Sequence, residues 1–199
     1  MSNQIRFHDL LARILSYPGE DYLDVVREFQ PLARKQFPDQ PGLLDGFVAY
    51  VEAARIDEIE EHFTRTFDLN PVCCMEIGWQ LYGEDYNRGS LMVNLRQQIR
   101  SMGLTENVEL PDHLSNVLPL LGRMDPQEAS NLCASYLLPA VKKMQDGLKD
   151  KSNPYEEVLA LVRNLFEASA VHAVITGSQS APYTFNILKD QPQEEFFDD

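Results

Sequence analysis

The chain has 199 residues with 31 acidic against 17 basic side chains, a formal net charge of −14, and 44 % hydrophobic residues. That length suits one compact domain with a sizeable core, and apolar residues spread along most of it argue against wholesale disorder. The charge balance disfavours a nucleic-acid-binding surface, which needs clustered Lys and Arg, and suits a basic peptide as partner.

Apolar spacing is helical almost throughout. Phe7, Leu10, Leu11, Ile14 and Leu15 form one face of an amphipathic helix, which Tyr17-Pro18-Gly19 interrupts. Tyr22, Val25, Val26, Phe29, Leu32 and Ala33 repeat the pattern up to Phe37-Pro38. Leu43, Leu44, Phe47, Val48 and Val51 make a third stripe, and Ile56, Ile59, Phe63 and Phe67 a fourth. Leu91, Leu95, Ile99 and Met102 make another, which Gly103 should close as a C-terminal cap.

Two later helix starts are marked by their own residues. Asp125-Pro126-Gln127-Glu128 supplies an acidic cap, a proline at the first helical position and a glutamate at the third, and Asn153-Pro154-Tyr155-Glu156 uses the same order. The helices should run over roughly 126–148 and 154–175, with Pro139 kinking the first. No segment alternates long enough for a strand, so the expected fold is all-α, a single-domain multi-helix bundle over 1–175. The stretch 176–199 opens with loop-forming residues and carries five acids between Asp190 and Asp199. It reads as an acidic, mobile C-terminal tail.

Known catalytic and metal patterns find little support. Cys73-Cys74 are adjacent, so on a helix their thiols diverge by about a hundred degrees. With Cys133 far away and no CxxC, they read as core or half-buried thiols rather than zinc ligands. Glu58 and His62 share a helix face, but a di-iron bundle needs two Glu-x-x-His pairs and two more glutamates. There is no phosphate loop, GxSxG elbow or HExxH helix. The N-terminus, Met1 to Asp9, lacks signal-peptide organisation, and no stretch reaches the roughly 20 apolar residues a bilayer span requires. A cytoplasmic protein without stable membrane insertion is expected, with no metal or cofactor of its own and no enzymatic activity.

Two segments concentrate the remaining chemistry: Tyr82-Gly83-Glu84-Asp85-Tyr86-Asn87-Arg88-Gly89 and Glu109-Leu110-Pro111-Asp112-His113-Leu114. On physical grounds Pro111-Asp112 can open a helix, the carboxylate capping free amides, with His113 partly buried on a backbone partner. Arg88-Gly89 can be an interhelical turn in which Arg88 pairs with Glu84 or Asp85. The same residues can equally form a recognition site.

The order of Phe63-Thr64-Arg65-Thr66-Phe67-Asp68, the Tyr82–Gly89 segment, Gly103-Leu104 and Glu109–Leu114 resembles the NarJ-type nitrate reductase delta-subunit chaperones. These belong to the TorD-like superfamily of redox-enzyme maturation proteins. The resemblance covers roughly residues 5–170. It implies a non-catalytic helical chaperone that binds the N-terminal, leader-like segment of an apo molybdoenzyme catalytic subunit. The client would be held in the cytoplasm for molybdenum cofactor insertion before assembly or export.

Asp112, His113, Arg88 and Gly89 match the family motif. The chain departs from the pattern at Leu118-Pro119-Leu120-Leu121, where Pro119 should stiffen or break a helix. A helix-in-groove mode would set the client's apolar face against Phe67, Leu81, Tyr82 and Leu114, and its basic residues against Glu84, Asp85, Glu109 and Asp112. His113 would titrate near neutral pH if unperturbed. A monomer or weak homodimer is expected. The alternative reading is an acidic helical adaptor for a basic amphipathic peptide outside redox-enzyme maturation; a small helical enzyme or metal protein using His62, His113 and the cysteines is a further rival.

Overall fold

The computed structural model describes residues 2–148 and 152–175, with side chains described through Val171. The acidic segment 176–199 lies outside the described residues. The fold is all-α, and among the described residues no strand forms, with one isolated antiparallel bridge between Glu76 and His113.

Helix α1 (Asn3–Ile14) is capped by the Ser2 hydroxyl, which accepts from Ile5 N, and buries Phe7, Leu10, Leu11 and Ile14. It packs between α2 (Tyr22–Gln36) and α7 (Leu114–Leu121). α3 (Asp45–Ala53) follows α2, and α4 (Ile56–Phe63) runs into a wider π-helical turn, Thr64–Asp68. α5 (Ile77–Tyr82) and α6 (Tyr86–Ser101) are neighbours in chain and space. α8 (Pro126–Leu132), a second π turn (Cys133–Leu137) and α9 (Leu138–Gly147) lead to α10 (Tyr155–Ile175), which packs against α3, α8 and α9.

Several local expectations hold for the stated reasons. Gly103 adopts φ +68°, with its N–H bonded to Arg100 O and Leu104 N–H to Ile99 O, the paired bonds of a Schellman cap. Asp125 Oδ1 accepts from Gln127 N at 2.8 Å, and Asn153 Oδ1 from Tyr155 N at 3.0 Å.

Pro139 and Pro119 behave differently from expectation. Residues 126–147 are helical without a break, but a π turn replaces regular α-helix just before Pro139. Leu138 N–H reaches back five residues to Cys133 O, so a π turn absorbs the hydrogen bond and space that Pro139 denies a regular helix. Pro119 neither breaks nor ends α7. Its neighbours Leu118, Leu120 and Leu121 are buried at 3 % exposure or less, and Arg123 Nη1 donates to Pro119 O at 2.9 Å. That packing offsets one missing backbone bond. Arg123 also grips Asp9 with two parallel bonds of 2.6 and 2.8 Å, tying the end of α7 to α1.

The core centres on Tyr155 at the start of α10. Its ring contacts Phe47, Phe63 and Phe67 with centroids 5.3, 5.8 and 5.1 Å away. Its hydroxyl lies 3.3 Å from that of Tyr22, which donates to Ile14 O. These polar tips are buried, and they are satisfied.

Candidate functional site

The motif residues assemble where the chain segment before α7 crosses the start of α5. Ile77 N–H donates to Asp112 O at 2.8 Å and Leu114 N–H to Met75 O at 3.0 Å, forming the bridge between Glu76 and His113. This short backbone join fixes both side chains of the Asp-His pair.

Asp112 is fully buried. Its Oδ2 accepts from Gly78 N at 3.1 Å and from Arg88 Nε at 3.2 Å, while Oδ1 has no hydrogen-bond partner. The carboxylate thus satisfies an orphan amide of α5 rather than capping its own helix, as the sequence suggested. Arg88 pairs with Asp112, not with Glu84 or Asp85, and its guanidinium lies over the Trp79 ring, 5.6 Å from the centroid. Arg88-Gly89 is no turn. It sits in the first turns of α6, whose N-cap is Asp85, accepting from Asn87 N at 2.8 Å. Burial pushes the Asp112 carboxyl above the ordinary carboxylate range, and Arg88 opposes that shift.

Gly78 makes this join possible. A Cβ there would stand 2.6 Å from Asp112 Oδ2 and 2.8 Å from Arg88 Cγ. Gly78→Ala should therefore part the ion pair and destabilise the protein by about 2 kcal/mol, a value urea unfolding checks. An unchanged midpoint would show that the pair has room to move.

His113 is the N-cap of α7. Its Nδ1 accepts from Ser115 N at 3.2 Å and lies 2.6 Å from Ser115 Oγ. Asn107 Nδ2 donates to the same hydroxyl at 2.8 Å, which leaves the Ser115 O–H to donate a hydrogen bond to His113 Nδ1. Asn116 completes the arrangement. Its Oδ1 accepts from Asn107 N, and its Nδ2 donates to Asn107 Oδ1, Glu109 O and Leu110 O. Burial lowers the His113 pKa to about 4, with Glu76 opposing. The imidazole is neutral at physiological pH, which replaces the expectation of titration near neutrality.

The remaining candidates divide by exposure. Phe67 and Leu114 are buried at 1 % and 0 % exposure, within the core rather than on an accessible groove. Leu81 and Tyr82 are half-buried, packed against the core at the end of α5. Glu84, Asp85 and Glu109 are exposed. Of these candidates, Asp112, Leu114 and Phe67 are buried, Tyr82 is half-buried, and Glu84, Asp85 and Glu109 are exposed.

Glu76, Gly78, Asn107, Ser115 and Asn116 gave no signal in the sequence. Glu76 is the charge common to the site. It acts on Asp68, Cys74, Glu109, Asp112 and His113 alike. Burial raises the carboxyl pKa of Glu109, as do Asp68 and Glu76.

The cysteines are free. Burial pushes each thiol up to about 12, and Cys73 Sγ lies 3.6 Å from Met144 O. Glu58 is exposed and His62 half-buried. Glu58 accepts from Arg55 N to cap α4, and His62 packs edge-on to Tyr50 at 5.3 Å. Among the described residues no group of three or more His, Cys, Asp or Glu is placed to hold a metal, and no helix is long and apolar enough to cross a membrane.

No family model matches the chain. It is 26 % identical over 186 residues to the Bacillus subtilis protein named probable nitrate reductase molybdenum cofactor assembly chaperone NarJ, covering 89 % of this chain and 97 % of that one. It is 27 % identical over 150 residues to the nitrate reductase-like protein NarX of Mycobacterium tuberculosis; the match covers 75 % of this chain but 22 % of NarX. The fold superposes on a crystal structure described as a redox enzyme maturation protein from Archaeoglobus fulgidus. The TM-score is 0.58 at 22 % identity, with 82 % of this chain and 93 % of that one covered. The chain is thus similar to a NarJ chaperone over nearly that protein's whole length and shares the fold of a redox enzyme maturation protein.

Proposed function

We propose that this protein is an assembly chaperone for a molybdoenzyme of the nitrate reductase type. It binds the N-terminal, leader-like segment of the apo catalytic subunit in the cytoplasm and holds it for molybdenum cofactor insertion before assembly or export. The observation that carries the reading is the match to a NarJ chaperone across 97 % of that protein's length.

The site is suited to gripping rather than to bond-making. Its histidine is neutral and committed to capping α7, and its central carboxylate is buried against an arginine. Around that frame stand Tyr82, Glu84, Asp85 and Glu109, able to meet an amphipathic basic segment with one aromatic face and several carboxylates. The frame residues Asp112, His113, Leu114, Arg88 and Phe67 hold this surface in register. The protein acts without a cofactor of its own, as a monomer or weak homodimer.

Co-expression with a nitrate reductase-type catalytic subunit, followed by affinity capture, tests this. Capture should require the N-terminal segment of the subunit, and the captured subunit should lack molybdenum. If a subunit without that segment is captured equally well, the reading fails.

A further inference from the structure

We infer that the anchor for a basic residue of the client segment is Glu76, flanked by Asp68 and Glu109, and that the segment's apolar residues rest on Leu69, Val108 and Leu110. This deepens the proposed chaperone reading and rests on it.

Three observations converge on this face. The apolar side chains are unusually open: Leu69 is 74 % exposed, Val108 100 % and Leu110 45 %. Leaving such side chains in water forgoes burial that apolar residues of a partner would restore. Leu69 follows Asp68, and Val108 and Leu110 flank Glu109, so the loop after α4 and the loop before α7 contribute together.

Backbone geometry brings the loop before α7 to the start of α5: Glu76 is bridged to His113, whose N–H donates to Leu110 O at 2.9 Å. Glu109 feels both Asp68 and Glu76, and Asp68 feels Glu76. Every one of those influences is negative. Like charges held this close cost free energy, and a guanidinium or ammonium placed between them relieves it.

Beside Glu76 lies the third observation. The chain's backbone join at Ile77 and Asp112 leaves Asp112 Oδ1 buried and without a hydrogen-bond partner. That oxygen is sealed from solvent, so the accessible carboxylate at this join is that of Glu76. Glu76 is half-buried, part of the rigid bridge to His113, and so better fixed than Glu84 or Asp85 on the exposed turn before α6. A pre-positioned carboxylate loses less freedom on binding.

The occupant follows from the charge. A nucleic acid or an anionic membrane surface would be repelled, and a second copy of a chain carrying −14 would meet like charge. A basic segment with apolar residues beside its arginine complements the face on both counts.

The probe is a synthetic amphipathic peptide of about 15 residues, four helical turns, with leucines on one face and two arginines one turn apart on its edge. Calorimetry measures its binding to the wild-type protein, to Glu76→Gln, and to Glu52→Gln, a control on α3. Glu76→Gln should weaken binding about tenfold, the scale of one charge-assisted hydrogen bond, and Glu52→Gln should not. Exchanging the arginines for glutamine should weaken wild-type binding similarly but add little on top of Glu76→Gln. Glu76→Lys should recover affinity for a peptide with glutamates in place of the arginines, a rescue that a purely structural role of Glu76 would not give. Val108→Ser with Leu110→Ser should weaken binding of every peptide that still binds. If the wild-type protein does not bind the probe, the chaperone reading on which this rests is overturned. If it binds and Glu76→Gln matches the control, or loss occurs without rescue and coupling, this anchor alone is overturned.

Discussion

Arg88→Met should destabilise the protein by about 3 kcal/mol, while Arg88→Met combined with Asp112→Asn should cost distinctly less. The reason lies in what each change leaves behind. Asp112 is wholly buried, with Oδ2 held by Gly78 N and Arg88 Nε and Oδ1 unpartnered. Removing the guanidinium strands a carboxylate on one backbone amide. Replacing the carboxylate by an amide as well keeps an oxygen for Gly78 and removes the charge. The lower end of the usual cost for breaking a buried pair applies, because the Arg88 side chain is 18 % exposed and water screens it in part.

The pH dependence has a definite sign. Burial already holds the Asp112 carboxyl above the ordinary aspartate value of 3.8, and Arg88 is what pulls it back down. Without Arg88 the folded state holds that proton to higher pH than the unfolded state does. Stability of Arg88→Met should therefore fall as pH rises through this window and recover as pH drops toward 4. Urea unfolding followed by circular dichroism at neutral and mildly acidic pH measures both effects. If the single and double variants unfold together at every pH, the pair contributes nothing to the join between α5 and the segment before α7.

Helices with whole apolar stripes were legible in the sequence because each buries one continuous face: Phe7 to Ile14 in α1, Tyr22 to Ala33 in α2 and Leu91 to Ile99 in α6 lie where their spacing puts them. Caps were legible for the same local reason, as at Gly103, Asp125 and Asn153. The two π turns were not, because the fifth-residue hydrogen bonds of Leu69 and Leu138 respond to packing and to Pro139 rather than to periodicity. Asp112, His113 and Arg88 were found as a group, yet their partners were not. Arg88 bonds a residue 24 positions away, and Asp112 caps a helix 34 positions back. Sequence neighbours such as Glu84 and Asp85 look like partners for Arg88, but a carboxylate already buried within reach of its guanidinium binds it at lower dielectric. Glu76 was invisible because its role comes from a two-residue backbone bridge with no repeat or motif of its own.

His113→Asn separates the cap from the titration. In the folded protein burial lowers the His113 pKa from 6.5 to about 4, against the opposing charge of Glu76. The unfolded chain therefore takes up a proton first as pH falls, and the folded state loses stability between about 6.5 and 4. At about 1.4 kcal/mol for each pH unit of that gap, the total reaches ~3 kcal/mol, with about 2 kcal/mol gone by pH 5. Asparagine keeps an oxygen that can accept from Ser115 N and is itself a favoured N-cap, but it does not titrate. At pH 7.5 His113→Asn should cost about 1 kcal/mol in packing. At pH 5 it should equal or exceed the wild-type protein. His8, whose pKa burial also lowers, and the raised carboxyls of Asp68, Glu109 and Asp112 are common to both chains and cancel in the difference. Thermal unfolding across this range reads the crossing directly. Parallel stability curves would mean that His113 carries the same charge folded and unfolded, which a ring buried at 7 % exposure with Nδ1 accepting from Ser115 does not allow.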